Sequence, residues 1–142
     1  MVNVLQAMIL TDNERMLLTP TYHVFEMYVP FQGATPYPVS ASGPSYKFGG
    51  YMLPSVDVSA ARATDGKLWL ALVNLNPATA AHVTTNLTGT AHGRILTGAT
   101  MDTHNTFETP DTIHPVPFAG SNTAGSLVID LPAKSVAVVA VD

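Results

Sequence analysis

The sequence contains no cysteine, which excludes disulfides and thiolate chemistry without fixing a compartment. Charge is scarce as well. Asp, Glu, Lys and Arg make up 11% of the 142 residues, against about 25% in a typical soluble domain. The six Lys and Arg are scattered and the formal net charge is −4, so no basic patch is available for nucleic acid. No apolar run approaches the roughly 18 residues that a membrane-crossing helix needs, and no membrane partner is expected. Met1-Val2-Asn3-Val4 has no basic stretch ahead of an apolar one, so no signal peptide is expected and a cytoplasmic location is favoured. Internal repeats and low-complexity tracts are absent.

Hydrophobic residues reach 46%. With so little charge, either Thr and Ser cover the surface of a β protein, or some apolar surface meets another domain. A chain of this length buries roughly two-thirds of its unfolded surface, enough for a true core.

Two unlike parts follow one another. In the first, Val2 to Leu10 is apolar except at Asn3 and Gln6. Thr11-Asp12-Asn13-Glu14 reads as a turn, and Met16, Leu17 and Leu18 form a second apolar run. Thr19 suits a helix cap and Pro20 its first position. Val24, Met27 and Tyr28 share one helical face. Pro30 disfavours helix at Val29. A strand followed by a capped amphipathic helix belongs to α/β grammar, and one such unit cannot bury its own apolar face.

Residues 32 to 50 are punctuated by Pro and Gly and read as a connector. Beyond it the pattern is β throughout. Val56, Val58 and Ala60 alternate with Asp57 and Ser59. Asp65-Gly66 signals a two-residue hairpin. Leu68 to Val73 is apolar on both faces and should be a central strand that buries Trp69. Val83, Thr85 and Leu87 alternate, and Arg94 to Thr97 is a short strand. Gly98 to Ser126 reads as irregular. Leu127 to Leu131 and Ser135 to Val141 close the chain. Short strands at this spacing predict an antiparallel sandwich.

Residues of catalytic type are present without a catalytic pattern. The histidines, His23, His82, His92, His104 and His114, show no metal-ligand spacing. His104 and His114 share one loop and read as polar loop residues. Neither a metal nor a cofactor is expected. Among the carboxylates Glu14, Glu26, Asp57, Glu108 and Asp130 no pair stands out as the two acids that glycoside hydrolysis uses. Asn3 and Gln6 interrupt an apolar run, where an amide either satisfies backbone groups or faces a ligand.

Several segments carry a resemblance. Asn3 to Asp12 and Leu18 to Tyr28 resemble the last barrel segment and final barrel helix of family 51 α-L-arabinofuranosidases. Leu72-Val73-Asn74-Leu75-Asn76-Pro77, Ile95-Leu96-Thr97-Gly98, Asn105 to Pro110 and Leu131 to Val136 are similar to that family's C-terminal sandwich. The resemblance implies a mainly β fold, a jelly-roll-like antiparallel β-sandwich preceded by the last strand and helix of a (β/α)8 barrel. Residues 1–35 would be the barrel fragment and 36–142 the sandwich.

It also implies a retaining exo-hydrolase that removes terminal α-L-arabinofuranosyl units from arabinan, arabinoxylan and related oligosaccharides. The family's two catalytic glutamates lie in earlier barrel segments without counterpart here, so the chain alone should be inactive and no catalytic residue is assigned to it. The family's sugar-contacting glutamine matches Gln6. The expected partners are the arabinose-containing saccharide, the missing N-terminal barrel part and a second copy in a homo-oligomer. A free-standing carbohydrate-binding or oligomerisation module is the rival reading.

Overall fold

The computed structural model describes Asn3 and residues 6–142. The expected strand from Val2 therefore lies partly outside the described residues. Within them, β1 (Ile9–Asp12) and β2 (Arg15–Leu18) pair antiparallel, Ile9 opposite Leu18 and Asp12 opposite Arg15. The turn narrows to Asn13-Glu14, with Asn13 at φ +53°, a conformation that Asn tolerates better than most residues. The second apolar run is thus the hairpin partner of the first.

Helix α1 spans Pro20–Met27. Thr19 caps it, its side chain accepting a bond from the Tyr22 N–H at 3.4 Å, and Pro20 occupies the first turn. The helix ends before Pro30, as expected from that proline, and a 3₁₀ turn covers Val29–Phe31.

The β part is one curled antiparallel sheet. Its strands are β3 (Thr35–Pro36), β6 (Val56–Arg62), β7 (Leu68–Asn74), β8 (Ala81–Thr84), β9 (Ala91–Thr97), β10 (Val116–Thr123), β11 (Ser126–Leu131) and β12 (Ser135–Val141). Their order across the sheet is β3-β6-β7-β12-β9-β10-β11-β8. Strand β10 makes the corner. Val116 to Gly120 pair with β9, and Ser121 to Thr123 pair with β11. A strand that changes neighbours along its length carries the chain from one layer of a sandwich to the other.

The two layers close on Leu68, Leu70, Leu72, Ile95, Ala137 and Val139 from one side and Leu127, Ile129 and Leu131 from the other. Gly93 lies opposite Val139 of β12. A Cβ there would lie 2.0 Å from the Val138 carbonyl oxygen, so only glycine fits.

Several expectations are met. Val56, Val58 and Ala60 all pack on this core, while Asp57 and Asp130 are exposed. Strand β7 lies between β6 and β12, and its odd residues are covered too. Trp69 and Ala71, with Val138 and Leu96, pack against Val24, Met27, Tyr28 and Phe31 of the helical segment. The predicted helical face is the contact face.

Other details differ. The Asp65-Gly66 hairpin has three loop residues, closed by the Ala63 N–H on the Lys67 carbonyl at 2.9 Å, with Gly66 at φ +86°. That pattern is the three-residue loop with glycine in the left-handed position. The stretch expected to be irregular contains all of β10 and its hairpin to β11. The connector contains a second ribbon, β4 (Ser45–Phe48) with β5 (Tyr51–Pro54), paired only to each other. Tyr46, Phe48, Tyr51 and Leu53 lie on one face of that ribbon. Phe48 and Tyr51 at its tip are among the most exposed large apolar residues, at 73% and 79%.

Leu70 is 4% exposed and stands at the centre of the inner face. Its replacement by Ala should lower stability in urea by roughly 2–5 kcal/mol. A loss below about 1 kcal/mol would mean that the core does not rest on β7.

Candidate functional site

The N-terminal hairpin and helix bring together the residues that the sequence singled out. Asn3 turns out to serve the backbone. Its Oδ1 accepts from the Thr11 N–H at 2.7 Å, and its Nδ2 donates to the Thr11 hydroxyl at 2.7 Å and carbonyl at 3.2 Å. Gln6 differs from it. It is exposed and its φ is +59°, uncommon for a residue other than glycine. Such geometry persists only where neighbours impose it. Immediately after it, the Thr19 hydroxyl donates to the Ala7 carbonyl at 2.7 Å and the Met8 carbonyl at 3.1 Å.

Two carboxylates of this region, Asp12 and Glu26, are committed to ion pairs. Asp12 accepts from Arg15 across the hairpin turn, and that bond holds the guanidinium above its ordinary pKa. Arg15 also lies 4.7 Å from the centre of the Phe107 ring and 4.0 Å from Glu108. Glu26 bridges two elements. Its Oε1 accepts from Arg94 of β9 at 3.0 Å, and its Oε2 lies 3.4 Å from His23 Nδ1. The Arg94 hydrogen bond holds its carboxyl below the usual range, with a smaller contribution from His23 and against the effect of burial. Glu14 is exposed in the turn.

The sandwich residues contribute structure around this segment. Asn105 is buried and links the loop before β10 to the end of β2. The sequence offers little to mark it beyond an amide in a polar loop. His104 and His114 are exposed, and each ring bonds a nearby backbone carbonyl, of Asp102 at 2.7 Å and of Asp111 at 2.9 Å. Among the described residues no group of three His, Asp or Glu is placed to hold a metal ion. A cleft of about 470 Å³ lies beside the helix end. Trp69, Arg94, Glu26 and Val29 are among its lining residues, so Trp69 is half-buried in the wall of a cleft.

These elements, in this order, match a known domain. The model of the α-L-arabinofuranosidase C-terminal domain matches residues 1–135. The chain belongs to that family. It is 38% identical over 141 residues to an intracellular exo-α-L-arabinofuranosidase of Bacteroides ovatus, covering 95% of this chain and 27% of that protein. Among solved structures, the family 51 arabinofuranosidase of Xanthomonas axonopodis pv. citri superposes with a TM-score of 0.93 at 41% identity, over 100% of this chain and 30% of that one. The thermostable family 51 enzyme of Thermotoga petrophila shares the fold, with a TM-score of 0.81 at 24% identity over 99% of this chain and 32% of its own. The arabinofuranosidase domain described here thus spans under a third of the length of these relatives.

Because Glu26 titrates below its ordinary value of 4.5, its contribution to stability is present above that value. It is lost as pH falls through the lowered folded value. Glu26→Gln should therefore be less stable than the parent chain at neutral pH, and the gap should close as the solution is acidified through the carboxylate range. Urea titrations of both proteins across pH read this directly. A gap that does not vary with pH would show that the charge of Glu26 plays no part.

Proposed function

We propose that this chain is the C-terminal part of a retaining, exo-acting α-L-arabinofuranosidase acting on terminal units of arabinan, arabinoxylan and arabino-oligosaccharides. In this reading residues 1–35 complete a (β/α)8 barrel and residues 36–142 form the sandwich domain, the boundary falling inside β3, whose Thr35 already pairs with Arg62 of the sheet. The observation that carries it is the family match across the hairpin, the helix and nearly all of the sandwich. Exposed apolar residues support it. Met16 on β2, Phe25 on α1 and Val29 after it are 65%, 56% and 52% exposed, apolar surface that the rest of a barrel would cover.

Retaining hydrolysis needs two carboxyl groups about 5–5.5 Å apart, one with a raised pKa. The paired acids of the N-terminal segment, Asp12 and Glu26, are unsuited to that role, and Glu14 stands exposed in the turn with no sign of the burial that raises a carboxyl pKa. Asp12 is paired with Arg15 and Glu26 with Arg94, and the pKa of Glu26 moves in the wrong direction for a general acid. The catalytic pair is therefore assigned to the rest of the barrel. This chain contributes one sugar contact, Gln6, whose amide donates to one hydroxyl and accepts from another.

One set of assays tests both parts of the reading. The 142-residue chain alone should release no arabinose from an aryl arabinofuranoside, and activity should appear when the barrel part is supplied. In the assembled enzyme Gln6→Ala should keep the melting temperature and lower kcat/KM by roughly ten- to hundred-fold, or about 1–3 kcal/mol. Turnover by the homogeneous chain alone would overturn the assignment of the acids. Unchanged kinetics would remove Gln6 from the sugar site.

A further inference from the structure

We infer that Asn105, a residue of the sandwich, is a positioning residue for the sugar contact at Gln6. The inference rests on Gln6 touching the sugar. Asn105 is 4% exposed and all of its polar atoms are engaged. Its Oδ1 accepts from the Ile113 N–H at 2.7 Å, and its Nδ2 donates to the Ile113 carbonyl at 2.9 Å and the Leu18 carbonyl at 2.9 Å. The bond from the Ile113 N–H fixes which end of the amide is oxygen, so the nitrogen must face Leu18.

From Leu18 the connection runs to the residues after Gln6. Thr19, next in the chain, donates its N–H to the Met8 carbonyl at 3.1 Å. Its hydroxyl donates to the Ala7 carbonyl at 2.7 Å and to that of Met8 at 3.1 Å. Ala7 is 3% exposed, so the backbone beside Gln6 is enclosed while Gln6 itself is exposed. Gln6 sits at φ +59°, in the left-handed region that a side-chain-bearing residue enters only under constraint. Thr19 supplies that constraint, and Asn105 holds the strand end from which Thr19 acts. A loop residue 87 positions beyond Leu18 thereby sets the aim of one amide in the barrel segment. Geometry held through a second layer of hydrogen bonds is a general requirement of precise sites.

A double-mutant cycle in the assembled enzyme tests this, using an aryl arabinofuranoside and the variants Gln6→Ala, Asn105→Ala and the pair. If Asn105 acts through Gln6, Asn105→Ala lowers kcat/KM by roughly three- to ten-fold and adds little in the Gln6→Ala background. Losses that multiply would overturn the inference while leaving the sugar contact standing. No loss from Gln6→Ala itself would overturn both. Should Asn105→Ala fail to fold, Thr19→Val removes the hydroxyl that holds Ala7 and carries the same cycle. Its loss should be recovered by Thr19→Ser and should vanish when Gln6 is already Ala. Failure of Thr19→Ser to recover activity, or a Thr19→Val loss that persists beside Gln6→Ala, would count against the relay.

Discussion

The structure depends on one strand pair being buried on both faces. In β7 and β12, Leu68, Leu70, Leu72, Ala137 and Val139 face the interior of the sandwich, while Trp69, Ala71 and Val138 face the helical segment. The inner face supplies the association of the two layers. The outer face gives α1 the apolar partner that a lone strand and helix could not provide for themselves. Ala71, 1% exposed, leaves room for Met27 to come close. Glu26 and Arg94 add a polar tie at the margin of the same contact.

With so few charges, the polar holding points are amides. Asn74 donates to the carbonyls of Thr79 and Pro132, each at 2.9 Å, and accepts from the Asn76 N–H at 3.0 Å. It ties the end of β7 to the turn before β12. Asn105 does the same between the long loop and β2. An amide suits this task because one side chain both donates and accepts without the desolvation cost of an ion. Among the described residues no buried side-chain polar atom is left without a partner, as a fold of this kind requires.

Much of this was legible in the sequence because local chemistry and final environment agree. Thr19-Pro20 starts a helix, Val24, Met27 and Tyr28 define its buried face, and Leu68 to Val73 cannot be anything but central. Strand β10 was not legible. Pro117, Gly120 and Asn122 are poor strand formers, and the strand exists because β9 and β11 offer edges on either side of it. Its hairpin to β11 places Ala124 at φ +52° beside Gly125 at φ +85°, a turn with only its glycine to announce it. The β4–β5 ribbon hid in a glycine- and proline-rich connector. At the site, periodicity left Asn3 and Gln6 with the same two readings. The structure resolves Asn3 as a backbone partner. The sugar contact proposed for Gln6 rests on the resemblance, and its left-handed backbone could not be read from residue types.

The outer face of β7 and β12 makes α1 one cooperative unit with the sandwich. Native-state hydrogen exchange on the 142-residue chain is the decisive test of that coupling. The amides of α1 should open with nearly the same free energy as those of β7 and β12, and Val138→Ala should lower both together. Helix amides that exchange far faster than the sheet, and do not respond to Val138→Ala, would contradict it.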